Sequence, residues 1–253
     1  MPDATLPPSL PPSVPELLRR MVTDDPTRPR LTFYGPRWAE DGERIELSAR
    51  VLDTWVSKTA NLLVEEFDAG PGTTVGLDLP AHWRSAVWQL AAWSVGAGVA
   101  VAPADAADVD LLVTSEAAAA EEAGGDAVAV ALAPLATSFP GGAPAGALDY
   151  ARVITGYGDV FRPLEEPAPD APALRAAGGA TTFGDLLPQA LAAGSAWGVG
   201  VRLLTDAGPA DAVRGLLAPY VRGGSVVLAP GLAELPDRAR EQELVTEVLS
   251  TGT

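Results

Sequence analysis

The chain has no cysteine among its 253 residues. Disulfides, thiolate nucleophiles and cysteine-ligated metals are therefore excluded. One histidine, His82, is the whole supply of imidazole. A His-rich metal site cannot form, and any imidazole base has to be His82. One lysine, Lys58, stands among 17 basic side chains, the rest being arginine. Acidic residues number 33, so the formal net charge is −16. Nucleic-acid binding needs cations that neutralise phosphate, and no such partner is expected. The acidity reads as a solvated surface that aids solubility. The start, "MPDATLPPSLPPSVPELL", lacks a basic n-region and a long apolar run. No signal peptide is expected, and the expected compartment is the cytoplasm. No stretch approaches the ~18 apolar residues of a membrane span, so no membrane partner is expected.

What is present is an ordinary soluble composition, 47% hydrophobic and 20% charged. Residues 1–12 read as a Pro-rich, flexible lead-in. Residues 13–253 read as a single α/β domain, with a weak internal connector at about 133–180. Ser13 and Pro15 start a helix. "PRLTFYG" and "RIELS" form a hairpin-like pair. Ser48 caps a long helix to about Phe67, whose apolar residues keep helical spacing. "TTVGLDL" is a strand, followed by a helix from Pro80 that is apolar on most sides and hence buried. Strands "VAVAPA", "VDLLVTS" and "DAVAVAL" follow. Beyond the connector come helix Phe183–Ala193, strand "GVRLLTD", helix Ala210–Val221, strand "SVVLAPG" and a polar helix Pro236–Leu249. This alternation predicts a mainly parallel α/β architecture with helices on both faces.

Few motifs for chemistry survive inspection. "RAAGGATTFGDLL" suggests a phosphate loop, but a Walker loop requires a lysine, and Lys58 lies inside the long helix. "GVGVRLL" and "GAGVAVA" lack the third glycine of a dinucleotide fingerprint, and each precedes a strand. No G-x-S-x-G is present, since "GSAWG" places its serine one position early. A Ser-His-Asp triad would have to use His82; otherwise His82 is a residue at a helix start. Glu65–Glu66 and Glu121–Glu122 are adjacent on helices and diverge by ~100°, as solvated faces do. Trp88 and Trp93 share an apolar helix and read as core, with a binding box as the alternative. "GGATTFG" reads locally as a turn plus cap, with Thr181 or Thr182 capping and Asp185 in the first helical turn.

One long segment is more specific. "LSARVLDTWVSKTANLLVEEFDAGPGTTVGLDLPAHWRSAVWQLAAWSVGAGVAVAPADA", Leu47 to Ala106, resembles the N-terminal region of AMP-binding adenylate-forming enzymes, the acyl-CoA synthetase-like superfamily. The family's "pGd-V-l-LpN", "kaGa" and "vP" elements correspond to Pro71-Gly72, Val75, Leu79-Pro80-Ala81, Gly96–Gly98 and Pro103. "VDLLVTS" is similar to its "a-vlvt" strand, and "DAVRGLLAPYVRGGSVVLAPG" to its "g-l-PLLaGatvVl" segment. "TTFGDLLPQALAAG" falls where the family has "lTHrnl" and its helix. The resemblance runs from about Leu31 to the C-terminus. It is strongest to a short actinobacterial family of unknown function, akin to acyl-CoA synthetases but about half their length.

The departures define the functional expectation. The family's TSGTTGxPKG phosphate loop lies just before "lTH", and here that place reads "PDAPALRAAGGATTFG", without lysine. The YGxTE motif, the ribose-binding aspartate and the lid with its catalytic lysine are not found either. "GYGD" at Gly156 is a chance echo. Arg152, Arg162 and Arg175 are available for phosphate, but their spacing does not single them out. Adenylation requires cationic stabilisation of phosphoryl charge. The resemblance therefore implies a protein that does not adenylate independently and that binds a small molecule or a protein partner. The alternatives are an AMP-dependent ligase-type enzyme with a rebuilt site or a partner-supplied lid, and a structural homo-oligomer module covering a sheet edge. No motif supports ATP or AMP as cofactor, no metal is expected, and no catalytic residue is assigned. A surviving pocket is expected at strand C-terminal ends, which singles out His82, Trp83, Thr205 and Asp206 as ligand-binding candidates.

Overall fold

The computed structural model describes residues 9–36, 42–101, 109–123 and 125–251. The lead-in's first eight residues thus lie outside the description. Of its remainder, Pro11 is buried and Leu10 packs on the core.

The first helix, α1 (Val14–Asp24), is capped by Ser13 with a proline in its first turn. Strands β1 (Pro29–Tyr34) and β2 (Arg44–Ser48) pair antiparallel, as the hairpin reading required. The Ser48 hydroxyl then accepts from the Val51 amide and opens α2 (Ala49–Phe67). Next come β3 (Thr74–Asp78), α3 (Trp83–Val95), β4 (Gly98–Val101), β5 (Leu111–Thr114), α4 (Ala117–Glu122) and β6 (Asp126–Ala129). Each of these strands joins a parallel ladder, as the alternating pattern implies.

The segment read as a connector contains regular structure. It holds β7 (Ala147–Asp149), the short helix α5 (Tyr150–Val153), and a second antiparallel hairpin, β8 (Pro172–Ala176) with β9 (Gly179–Thr182). Helix α6 spans Phe183–Ala193, matching the sequence reading. After β10 (Arg202–Thr205), a π-helical turn at Val213–Leu217 runs into α7 (Ala218–Val221) and β11 (Ser225–Leu228). The closing polar helix is shorter than expected. It is α8 (Asp237–Gln242), and its expected last turns are instead β12 (Glu247–Leu249), paired parallel to β10.

The strands form two sheets. One has the order β12-β10-β11-β1-β2, the other β7-β6-β5-β3-β4-β8-β9. Among the described residues only the two hairpins are antiparallel. Helix α3 packs against β1 of the first sheet and against β3 and β4 of the second. All 13 of its residues are buried, which is why its sequence is apolar nearly all round. One hydrophobic cluster runs through this region, joining Leu31 and Phe33 to Val75, Leu77 and Trp88.

Candidate functional site

The C-terminal ends of β3 and β10 belong to different sheets, yet they approach each other beside α3. His82, just after β3, and Gly208 and Pro209, just after β10, line one small cavity with Gln89, Gly215 and Leu228. Gln89 holds the wall in place, its Nε2 donating to the Pro209 carbonyl at 2.7 Å. Gly215 lies in the π-helical turn, where a Cβ would stand 2.3 Å from the Ala207 Cβ. The cavity measures about 20 Å³, room for about one water molecule.

His82 is 5% exposed and caps α3, its Nδ1 accepting from the Arg84 amide at 3.1 Å. Phe33 meets the ring edge-on at 4.5 Å. Burial, with repulsion from Arg84, pulls the imidazole pKa down to about 3, although a hydrogen bond to the Leu132 backbone acts the other way. The ring is thus neutral at any ordinary pH and a poor general base. Trp83 is buried and packs edge-on against Trp55 at 5.2 Å. Thr205 is fully buried, and its Oγ1 accepts from the Ala207 amide at 3.0 Å. Asp206 accepts from the Ser250 hydroxyl at 2.9 Å and from the Thr251 amide at 2.7 Å. Burial raises its pKa, but these hydrogen bonds outweigh that and hold the carboxyl below its usual range. Of the four candidates His82 alone lines the small cavity, and apart from the Trp83 indole their polar atoms are engaged within the chain.

The phosphate-loop position is the β8–β9 hairpin. Ala176 faces Gly179 across a two-residue turn, and Arg175 faces Ala180. Gly179 has φ +124°, a conformation that excludes side-chain-bearing residues. Thr182 Oγ1 then accepts from the Asp185 amide at 3.2 Å and caps α6, as the local sequence reading held. Arg152 lies in α5, Arg175 in β8, and Arg162 in the irregular segment between them, so these arginines occupy three separate elements. Trp88 and Trp93 are buried core residues, and the Trp93 indole donates to the Ala173 carbonyl at 2.7 Å.

Sequence reasoning missed three features. Two larger cavities, of about 230 and 220 Å³, flank the segment around Glu165 away from the β3 and β10 C-terminal ends. Glu243 anchors a buried ionic cluster with Arg202, Arg44 and Tyr34. Arg84 is a buried cation beside Trp83. Its signal in the sequence is a basic residue in the first turn of an otherwise apolar helix. Among the described residues no group of three or more His, Asp or Glu side chains is placed to hold a metal ion. No helix among them is long and apolar enough to cross a membrane.

This arrangement of two mainly parallel sheets on a buried helix matches the fold of a solved acyl-CoA synthetase. The crystal structure of Brucella canis acyl-CoA synthetase aligns with a TM-score of 0.74 over 94% of this chain at 15% identity. The chain spans about half of that protein, 47% of its length. A Mycobacterium tuberculosis protein described as a TIGR03089 family protein is 34% identical over 260 residues, covering 92% of this chain and 96% of its own. The chain belongs to the TIGR03089 family. No family model matches it.

Proposed function

We propose that the chain is a non-adenylating member of the acyl-CoA synthetase-like fold, which binds a small molecule or a protein partner on part of an AMP-binding scaffold. The observation that carries this reading is the hairpin at the phosphate-loop position. A phosphate loop works by directing successive backbone N–H groups and a lysine at the phosphates. Here the corresponding backbone is in a β ladder from Pro172 to Thr182, and the chain's lone lysine is elsewhere. Lys58 lies on α2, donates to the Tyr157 carbonyl at 2.5 Å and pairs with Asp159 at 2.7 Å. The cavity at His82 has room for about one water molecule.

Thermal-shift titrations with ATP, AMP and CoA, run beside ATP-dependent pyrophosphate exchange over a panel of carboxylic acids, test the reading. It expects no exchange. Exchange above background would overturn it in favour of a ligase with a rebuilt site.

A further inference from the structure

Arg84 occupies an unfavourable position for a cation. It is the second residue of the 13-residue α3, where the helix dipole presents positive charge. It is 7% exposed, so its charge has lost most of its water. Among the described residues no carboxylate forms an ion pair with it. Glu43 and Tyr150 act on it only at a distance. What satisfies it is partial: Nη1 donates to the Ala131 carbonyl at 2.5 Å and, more weakly, to Ala133 at 3.4 Å.

The remaining edge of the guanidinium is unused. Nε is buried and has no hydrogen-bond partner. Nη2 makes no hydrogen bond among the described residues. Nε and Nη2 together form the side of a guanidinium that grips a carboxylate or phosphate with two parallel hydrogen bonds. The guanidinium lies over the Trp83 ring, 4.7 Å from its centroid. The Trp83 Nε1–H is itself buried without a partner. One residue thus combines a buried charge, an opposed helix dipole and an unused two-donor edge, with a second unused donor on its neighbour. An anion on that edge relieves the first three.

We propose that Arg84 and Trp83 form an anion-binding site, which takes the carboxylate or phosphate group of a small ligand on the Nε–Nη2 edge of Arg84. The proposal adds a ligand class to the binding reading and rests on it. The two fail separately, because pyrophosphate exchange does not report on this edge.

The test is NMR of the full chain labelled with ¹⁵N at arginine and tryptophan. Sodium acetate and inorganic phosphate are titrated in separately, at ionic strength held constant with sodium chloride. The expected result is saturable movement of the Arg84 Nε–H and Trp83 Nε1–H signals with at least one of the two anions. Which one moves them distinguishes a carboxylate from a phosphate ligand. R84K keeps the charge but removes the two-donor edge, and in it the affinity falls at least tenfold. Absence of saturable movement with both anions in the unmodified chain overturns the proposal, whether or not the variants fold. Equal affinity in a folded R84K overturns it as well.

Discussion

At the scale of the residue, burial decides what each charged group can do. Glu243 is 5% exposed and receives the Tyr34 hydroxyl at 2.7 Å, Arg44 Nε at 2.8 Å and Arg202 Nη2. Burial raises its pKa, but bonds from Arg44, Tyr34 and Arg202 outweigh this and leave the carboxyl below its usual value. Arg202 also reaches Thr32 Oγ1 at 3.0 Å and the Glu243 carbonyl at 2.5 Å, tying β1, β10 and the end of α8 together. Glu243→Gln leaves Arg202 uncompensated and is expected to destabilise the fold by about 3 kcal/mol, measured by urea unfolding at neutral pH. His82 gives a second expectation. In the folded chain it stays neutral down to about pH 3, whereas the unfolded chain takes up its proton near the ordinary histidine value of about 6.5. Between those limits the unfolded state binds more protons, so stability falls as pH drops. His82→Asn retains a capping acceptor that does not titrate. Urea unfolding at stepped pH should show a shallower loss between roughly pH 6 and 4 than the parent chain shows; an unchanged slope would contradict the assignment.

At the scale of the element, local signals were legible where they were chemical. Ser13, Ser48 and Thr182 each cap the helix that the sequence assigned to them. Thr182→Ala should cost about 1 kcal/mol, read from the shift of the urea midpoint at constant slope. What could not be read locally was pairing. The β8–β9 hairpin hides in a Pro-rich stretch whose strands are short and weakly alternating. Residues Glu247–Leu249 follow a helical pattern, but their backbone gains a ladder against Leu203–Thr205, and tertiary pairing overrides propensity. Leu244, at φ +53°, marks the break between helix and strand. Gly215 shows the same limit. Its sequence context is an ordinary helix, yet the π-helical turn brings its Cα against Ala207. Gly215→Ala forces that contact apart and should cost about 1–3 kcal/mol, with the loss visible in thermal unfolding.

At the scale of the whole molecule, the α/β class was legible from alternation, but the division into two sheets was not. Strands at the start of the chain, β1 and β2, complete a sheet begun by the late strands β10 to β12. No local pattern carries that information, because parallel partners share apolar composition and not a short connecting turn. The same assembly buried the four site candidates while engaging most of their polar atoms. Arg84, whose Nε has no hydrogen-bond partner, lay one position beyond Trp83. The proposed function is binding without activation of a carboxylate. Pyrophosphate exchange tests it most directly, measured with Mg²⁺, ATP and a panel of aliphatic and aromatic acids. Binding without activation predicts incorporation of labelled pyrophosphate into ATP no faster than in protein-free controls for every acid. Acid-dependent incorporation above those controls would contradict it.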